Sequence, residues 1–334
     1  MSSTSASSTS SRIRRAGREP DSVVRKRIPY VNEEVSGRDF KYYIFDWDDN
    51  ILHMPTKIQM EHLDDDGVWR PVAVSTSTFA LVRADEEHYR PPSEGGWAAA
   101  FQNFQDEPGR NTFIEDTIAA LERVEHGEKP GPSYTALKKT LREGRLFAIV
   151  TARGHSPETI EKAVRIFIRY ALSEDDREEM MSNLRGYRQW IDGVGDGEFG
   201  TDAEELDYYL GMCRYSAVTN EAFKERLASD PIYREKLAVA TTAARPELAK
   251  EFAIQDFVEH VFHMLRRAGR LDRSVSIGFS DDDVGNVKTV SSFIRAELSK
   301  RYEGIKFVVY DTSDRTLQKG RKVCVSGQLN LPGF

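Results

Sequence analysis

Four short apolar runs stand out along the chain, each bounded by polar residues or glycine: Tyr42–Phe45, Leu146–Val150, Ser274–Phe279 and Ile305–Tyr310. Continuous apolar runs of this length predict strands buried on both faces, as in a parallel sheet. Helical spacing fills the gaps between them. Ser156-Pro157-Glu158 reads as an N-cap, a first-turn proline and an acidic first turn. After it Ile160, Val164, Phe167, Ile168 and Ala171 fall on one face. A second long helix is predicted from about Pro246, with Leu248, Ile254, Phe257, Val258, Val261, Phe262 and Leu265 inward, and a third after Asp283, with Val287, Val290, Ile294 and Leu298. Leu237–Thr241 is read as a fifth strand. Strands alternating with helices predict an α/β, Rossmann-like doubly wound parallel sheet.

Two stretches do not fit that alternation. Residues 53–109 hold the strand-like Val72–Val82 and the turn-rich Pro91–Gly96, and residues 173–231 open on the acidic run Glu174–Glu179. Loops of this length rarely lack structure of their own, so both are expected to be structured insertions acting as cap or lid. The core is then 38–52, 110–172 and 232–334. Residues 1–37 hold seven Lys/Arg against four Asp/Glu and little apolar mass. They are expected to be a disordered Ser/Arg-rich tail, solvated or able to touch an anionic partner or to target an organelle.

Composition narrows the function. The 334 residues carry a formal net charge of -7, which argues against general nucleic-acid binding. No apolar run approaches the ~18 residues of a membrane span, so no membrane partner is expected. Two cysteines exclude a disulfide framework or a cysteine zinc site, and fit a cytoplasmic, reducing compartment.

The chemistry is sought at the carboxyl ends of the strands, where open α/β sheets bind ligands. Asp46-Trp-Asp48-Asp49-Asn50 follows the first run, Thr151-Ala-Arg153-Gly the second, and Ser280-Asp281-Asp282-Asp283, then Asn286, the third. Carboxylates from two strands, facing each other with no local Lys or Arg, are expected to repel: two charges 4 Å apart cost roughly 4 kcal/mol at an effective dielectric of about 20. A divalent cation relieves this, and all-oxygen ligation suits Mg²⁺.

In this order the motifs resemble the haloacid dehalogenase-like (HAD) hydrolase superfamily, phosphatase type: Asp46, Asp48 and Asn50 in FDWDDNIL, Thr151 in FAIVTARG, Lys250 in RPELAKEF (with Lys236 behind it), and Asp281 and Asp282 in IGFSDDDVGNV. The resemblance covers about 170 residues. It implies Asp46 as nucleophile, Asp48 as general acid and base with a raised pKa, and Thr151 and Lys250 on the phosphoryl oxygens. Mg²⁺ is implied on Asp46, the Asp48 carbonyl and Asp282 or Asp281, with Asp282 favoured as the direct ligand. Asn50 replaces the usual Thr or Val, and Asn286 stands where a further acid is common. An acid at position 48 favours a phosphate ester over a halide. The implied function is an Mg-dependent phosphatase acting on a small phosphorylated substrate through an aspartyl-phosphate. A phosphotransferase or phosphomutase using the same intermediate, or a catalytically inactive binding protein of the same fold, remain alternatives.

Other residues are weighed here as well. Arg153 and His155 are read as substrate contacts or as cap and surface residues, His53 as a substrate contact or part of the chain's exit into the insertion, and His260 and His263 as helix surface rather than metal ligands. Trp69, Trp97 and Trp190 are read as lining a substrate pocket or, by default, as packing small cores within the insertions.

Overall fold

The computed structural model describes residues 39–109, 111–195, 197–241, 245–270, 274–314, 316, 317 and 320–327; the expected N-terminal tail lies outside them. The four apolar runs form β1 (Phe40–Phe45), β5 (Phe147–Thr151), β7 (Val275–Asp281) and β8 (Ile305–Asp311). With β6 (Arg214–Ala217) and β9 (Arg321–Ser326) they make a six-stranded sheet ordered β6-β5-β1-β7-β8-β9, parallel except for β9. The protein is thus α/β with a mostly parallel sheet, as a Rossmann-like reading requires. Every residue of β5 is buried, which is why it reads as unbroken apolar sequence.

From β1 the chain goes to β5 on one side and later to β7 on the other. Such a reversal leaves a crevice at the carboxyl ends of the central strands. Phe45 pairs with Ser280, and the Asp46 N–H donates to the Ser280 carbonyl at 3.0 Å, so the residues after β1 and β7 lie side by side.

Between β1 and β5, β2 (Ile58–Leu63), β3 (Trp69–Val74) and β4 (Tyr89–Arg90) form a separate three-stranded antiparallel sheet. Two helices accompany it, α1 (Thr76–Val82) and α2 (Gly96–Ala100). Ile58, Met60, Val74, Ala100 and Phe104 give this unit its own small core. The strand expected over 72–82 stops at Val74, because the Ser75 side chain accepts from the Thr78 N–H and starts α1. Then follow α3 (Thr112–Glu125), α4 (Tyr134–Arg142) and α5 (Pro157–Ala171), the last capped by Ser156 as its sequence predicts.

Residues 173–231 are not set apart from the core as an insertion is. Helices α6 (Glu174–Tyr187), α7 (Asp202–Met212) and α8 (Glu221–Ser229) place Met180, Leu184, Tyr209, Leu210 and Phe223 in the main core, Trp190 joins them from the π-helical turn Arg188–Asp192 that follows α6, and β6 joins the main sheet. The expected strand at 237–241 is overturned. Residues Pro231–Val239 form helix α9, because Asp230 accepts from the Ile232 and Tyr233 N–H groups and Pro231 fits the first turn. Helices α10 (Arg245–Arg267) and α11 (Val284–Phe293) match the two predicted after Pro246 and Asp283. Among the described residues no helix is long and apolar enough to cross a membrane.

The turn after β1 is packed against Gly131. A Cβ at Gly131 would lie 2.5 Å from the Asn50 carbonyl carbon and oxygen. Gly131→Ala is expected to destabilise the chain by about 2 kcal/mol or more, measured by urea unfolding.

Candidate active site

Asp46 and Asp281 face each other across the ends of β1 and β7, and Lys250 from α10 reaches between them. Its ammonium donates to Asp46 Oδ1 at 3.1 Å and to Asp281 Oδ2 at 2.7 Å. Lys250 is 4% exposed and Asp281 1%. Burial alone would strip Lys250 of its proton, but the carboxylates of Asp281 and Asp46 outweigh it and hold the side chain charged. The sequence left Lys250 and Lys236 open. Geometry separates them: Lys236 binds Glu297 at 2.8 Å instead.

Asp281 has no oxygen to spare. Besides Lys250, Asn286 Nδ2 donates to both of its oxygens at 3.2 and 3.3 Å, and the Asp283 N–H donates to Oδ1 at 2.9 Å. Asn286, where an acid was the more familiar residue, serves here as a donor to Asp281. Asp282 differs. No hydrogen-bond donor among the described residues meets its carboxylate, and its pKa is pushed well up by burial and then by Asp46, Asp281 and Asp49. Asp46 is also raised by burial, which outweighs the lowering by Lys250. One ammonium therefore faces three crowded carboxylates.

Asn50 ties the strand tips together. It is fully buried, and its Nδ2 donates to the Asp46 carbonyl at 2.9 Å, to the Ser280 carbonyl at 3.2 Å and to Ser280 Oγ at 3.1 Å. Its Oδ1 accepts from Thr312 Oγ1 at 2.8 Å. A Thr or Val could not make this set of bonds, so the departure at position 50 is a structural part of the site. Asp49 takes the left-handed turn that brings the chain back (φ 55), a conformation Asp tolerates better than most residues.

The expectation that no cation faces Asp48 is overturned. Arg153 Nε donates to Asp48 Oδ2 at 2.9 Å and Nη2 to Oδ1 at 2.6 Å. Arg153 is neither surface nor cap. It is 0% exposed, with its guanidinium 4.5 Å from the Phe104 ring and 4.7 Å from Phe113. Thr151 Oγ1 lies 3.4 Å from Asp48 Oδ2, on the same side of the site. Next to it His155 stacks on Phe113 at 4.9 Å with neither ring nitrogen hydrogen-bonded. Burial, then the charge of Arg153, pushes its pKa down to about 4.

The unit built on β2–β4 touches the site at three points. Thr76, at the start of α1, donates to Asp49 Oδ2 at 2.6 Å; Arg83, at its end, donates to Asp283 Oδ2 at 2.9 Å; and Phe104 covers Arg153. Sequence gave no sign of Thr76 or Arg83, since nothing in their local pattern marks them. His53 binds Asp49 Oδ1 at 2.7 Å and so supports the turn. His260 is held by Arg214 at 2.6 Å and by the Met212 carbonyl at 2.8 Å, away from the strand tips. Trp190 joins the main core, whereas Trp97 remains half exposed beside Phe79 and Phe101.

Among the described residues no three His, Cys, Asp or Glu side chains form a metal-holding group. Mg²⁺ does not require one, since it is usually held by one or two carboxylates plus water and substrate phosphate. Asp282 and the Asp46 oxygen not bonded to Lys250 offer the two carboxylates, and the surplus negative charge there suits a divalent cation; the carboxylates of Asp281 and Asp48 are already bound to Lys250 and Arg153.

Removing the ammonium should expose this imbalance. Lys250→Met is expected to cost roughly 3–5 kcal/mol in urea unfolding at pH 7.5. The loss should shrink as pH falls, because Asp46 and Asp282, both raised by burial, take up protons more readily than ordinary carboxylates. His155 gives an opposite slope. Its folded pKa lies below the unfolded value of about 6.5, so the unfolded chain binds the proton first and stability falls between pH 6.5 and 4, by up to about 3 kcal/mol. His155→Phe should remove that part of the acid loss, read as the difference between the two proteins' unfolding free energies across this range. Set beside known proteins, the chain matches no family model, no curated protein and no solved structure.

Proposed function

We propose that the chain is an Mg²⁺-dependent phosphate monoester hydrolase of the HAD type, with Asp46 as nucleophile and the unit built on β2–β4 as its cap. The observation that carries this reading is the charge balance at the strand tips. Asp46 and Asp281 share one buried lysine, and the Asp282 carboxylate beside them meets no hydrogen-bond donor among the described residues. A structural ion-pair network has no use for the surplus negative charge, whereas a site that binds a cation together with a phosphate does.

Each residue then has a task set by its position. Asp46 attacks phosphorus through a carboxylate oxygen, the bond from phosphorus to the leaving oxygen breaks, and an aspartyl-phosphate forms; water then attacks phosphorus and releases inorganic phosphate. Lys250 aligns Asp46 and, with Thr151, holds the transferring oxygens. Bound on Asp46, Asp282 and the Asp48 carbonyl, Mg²⁺ would neutralise charge on the phosphoryl group. Thr76 and Arg83 fasten the cap to the loops that carry Asp49 and Asp283, so substrate enters by loosening those contacts.

Asp48 sets the choice of leaving group. Both oxygens of Asp48 are taken up by the forked Arg153 guanidinium, so the side chain is poorly placed to hand a proton to a leaving oxygen. Esters whose leaving oxygen departs without one, such as aryl or acyl phosphates, suit the site better than alkyl phosphates. The same fork favours a second reading, a phosphate-binding protein of this fold without turnover.

Hydrolysis of an aryl phosphate by the purified chain separates these readings. Activity is expected with Mg²⁺ and not after chelation, and Asp46→Asn should lower it by at least ~10³-fold. Aryl esters should turn over faster than alkyl esters. Turnover that survives Asp46→Asn would rule out the nucleophile. Phosphate binding without any turnover would establish the second reading.

A further inference from the structure

At the opposite end of the main sheet, away from Asp46, lies a cavity of about 430 Å³ that the proposed reaction does not use. That volume is within the range of small-molecule sites. It opens beneath the first residues of β1 and β5, between α6, α7 and the last turns of α10. Phe40, Tyr42, Tyr187 and Tyr209 present rings to it, and Met212 and Met264 present flexible thioethers that favour contact with aromatic rings.

Two polar groups in this wall lack hydrogen bonds. Tyr42 is 6% exposed, and its hydroxyl has no hydrogen-bond partner among the described residues. Its neighbour Tyr209 is satisfied, donating to the Arg145 carbonyl at 2.6 Å. Glu205 is 3% exposed; its Oε1 accepts from the Gly200 N–H at 3.0 Å, but its Oε2 accepts from no donor. The nearest cation, Arg188, is 3.6 Å from Oε2 and is shared with Asp192, 3.2 Å from its Nε. His260 adds no free group, because Arg214 and the Met212 carbonyl hold both of its nitrogens. A buried acceptor without a partner, as Glu205 Oε2 is, costs free energy that a bound ligand can recover.

We propose that this cavity is a second ligand site, for a neutral nitrogen heterocycle of nucleobase type. Flat rings stack on the aromatic wall. A ring or amino N–H supplies the donor that Glu205 Oε2 lacks, and a ring nitrogen or carbonyl accepts from the Tyr42 hydroxyl. The site is independent of the reaction proposed for Asp46.

The test uses the full chain and 2-aminopurine, whose fluorescence is quenched when it stacks on aromatic rings. Saturable quenching that adenine competes away is expected. Tyr42→Phe should weaken it about fivefold and Glu205→Gln about tenfold, and Met264→Trp, which fills the cavity, should abolish it. Asp46→Asn should leave it unchanged. Circular dichroism and thermal unfolding establish that each variant is folded; a variant that fails this is replaced by Met264→Phe. No quenching by the wild-type chain overturns the proposal, whether its own N-terminal residues, a second copy or nothing fills the space. Quenching that all three cavity variants leave intact also overturns it. Quenching lost in Met264→Trp but unchanged in Tyr42→Phe and Glu205→Gln overturns the nucleobase assignment.

Discussion

A single buried ammonium shared by two carboxylates fixes the arrangement of this molecule's strand tips. Lys250 bonds to Asp46 and Asp281 at once, and both acids are almost wholly removed from water. Burying either carboxylate alone is unfavourable. Burying both becomes tolerable because a cation from α10 enters between them. The first strand, the fourth of the parallel set and the longest helix are thereby locked in one geometry. Asp282 lies just outside that lock, where burial and the neighbouring acids Asp46, Asp281 and Asp49 crowd its carboxylate.

The backbone around the lock is built with unusual care. Asn50 bonds to the main chain of Asp46 and Ser280 and to the Thr312 hydroxyl, so the turns after β1, β7 and β8 share one buried amide. A full set of bonds makes a buried polar network rigid, whereas a partial set would weaken it. The reactive edge therefore does not depend on loop packing alone. By contrast, the contacts from α1 to this edge are few and partly exposed. The Arg83–Asp283 pair is of a kind worth at most about 1 kcal/mol. A rigid floor beneath a lightly fastened unit is the combination a site needs if substrate must come and go.

Arg153 joins the two parts differently. Its guanidinium is packed between Phe104 and Phe113 and forks onto Asp48. Position 48 is thus coupled to the chain that closes the β2–β4 unit, and any movement of Phe104 changes the surroundings of an acid in the site. Tyr42 lies on β1 and Asp46 directly follows it, yet they serve opposite ends of the sheet. The end at Asp46 gathers charge, and the end at Tyr42 gathers aromatic rings.

The linear sequence determined the four long parallel strands, helices α5, α10 and α11, and the residues at the strand ends. These follow from local rules: buried parallel strands must be apolar on both faces, and a Ser-Pro-Glu start caps a helix wherever it stands. Lys250 was legible as a candidate because it lies near the start of a periodic helix, but only the packing of α10 on the sheet separated it from Lys236. The strand expected at 237–241 and the long strand over 72–82 failed for a local reason, since caps at Asp230 and Ser75 outweighed an apolar run. The role of Asn50, the burial of Arg153 and the satisfied state of Asp281 were settled by tertiary structure alone. Beside a few local bonds, each depends on a distant partner, from Lys250 for Asp281 to Thr312 for Asn50, and the charge a side chain keeps in the interior is decided by what long-range packing places against it.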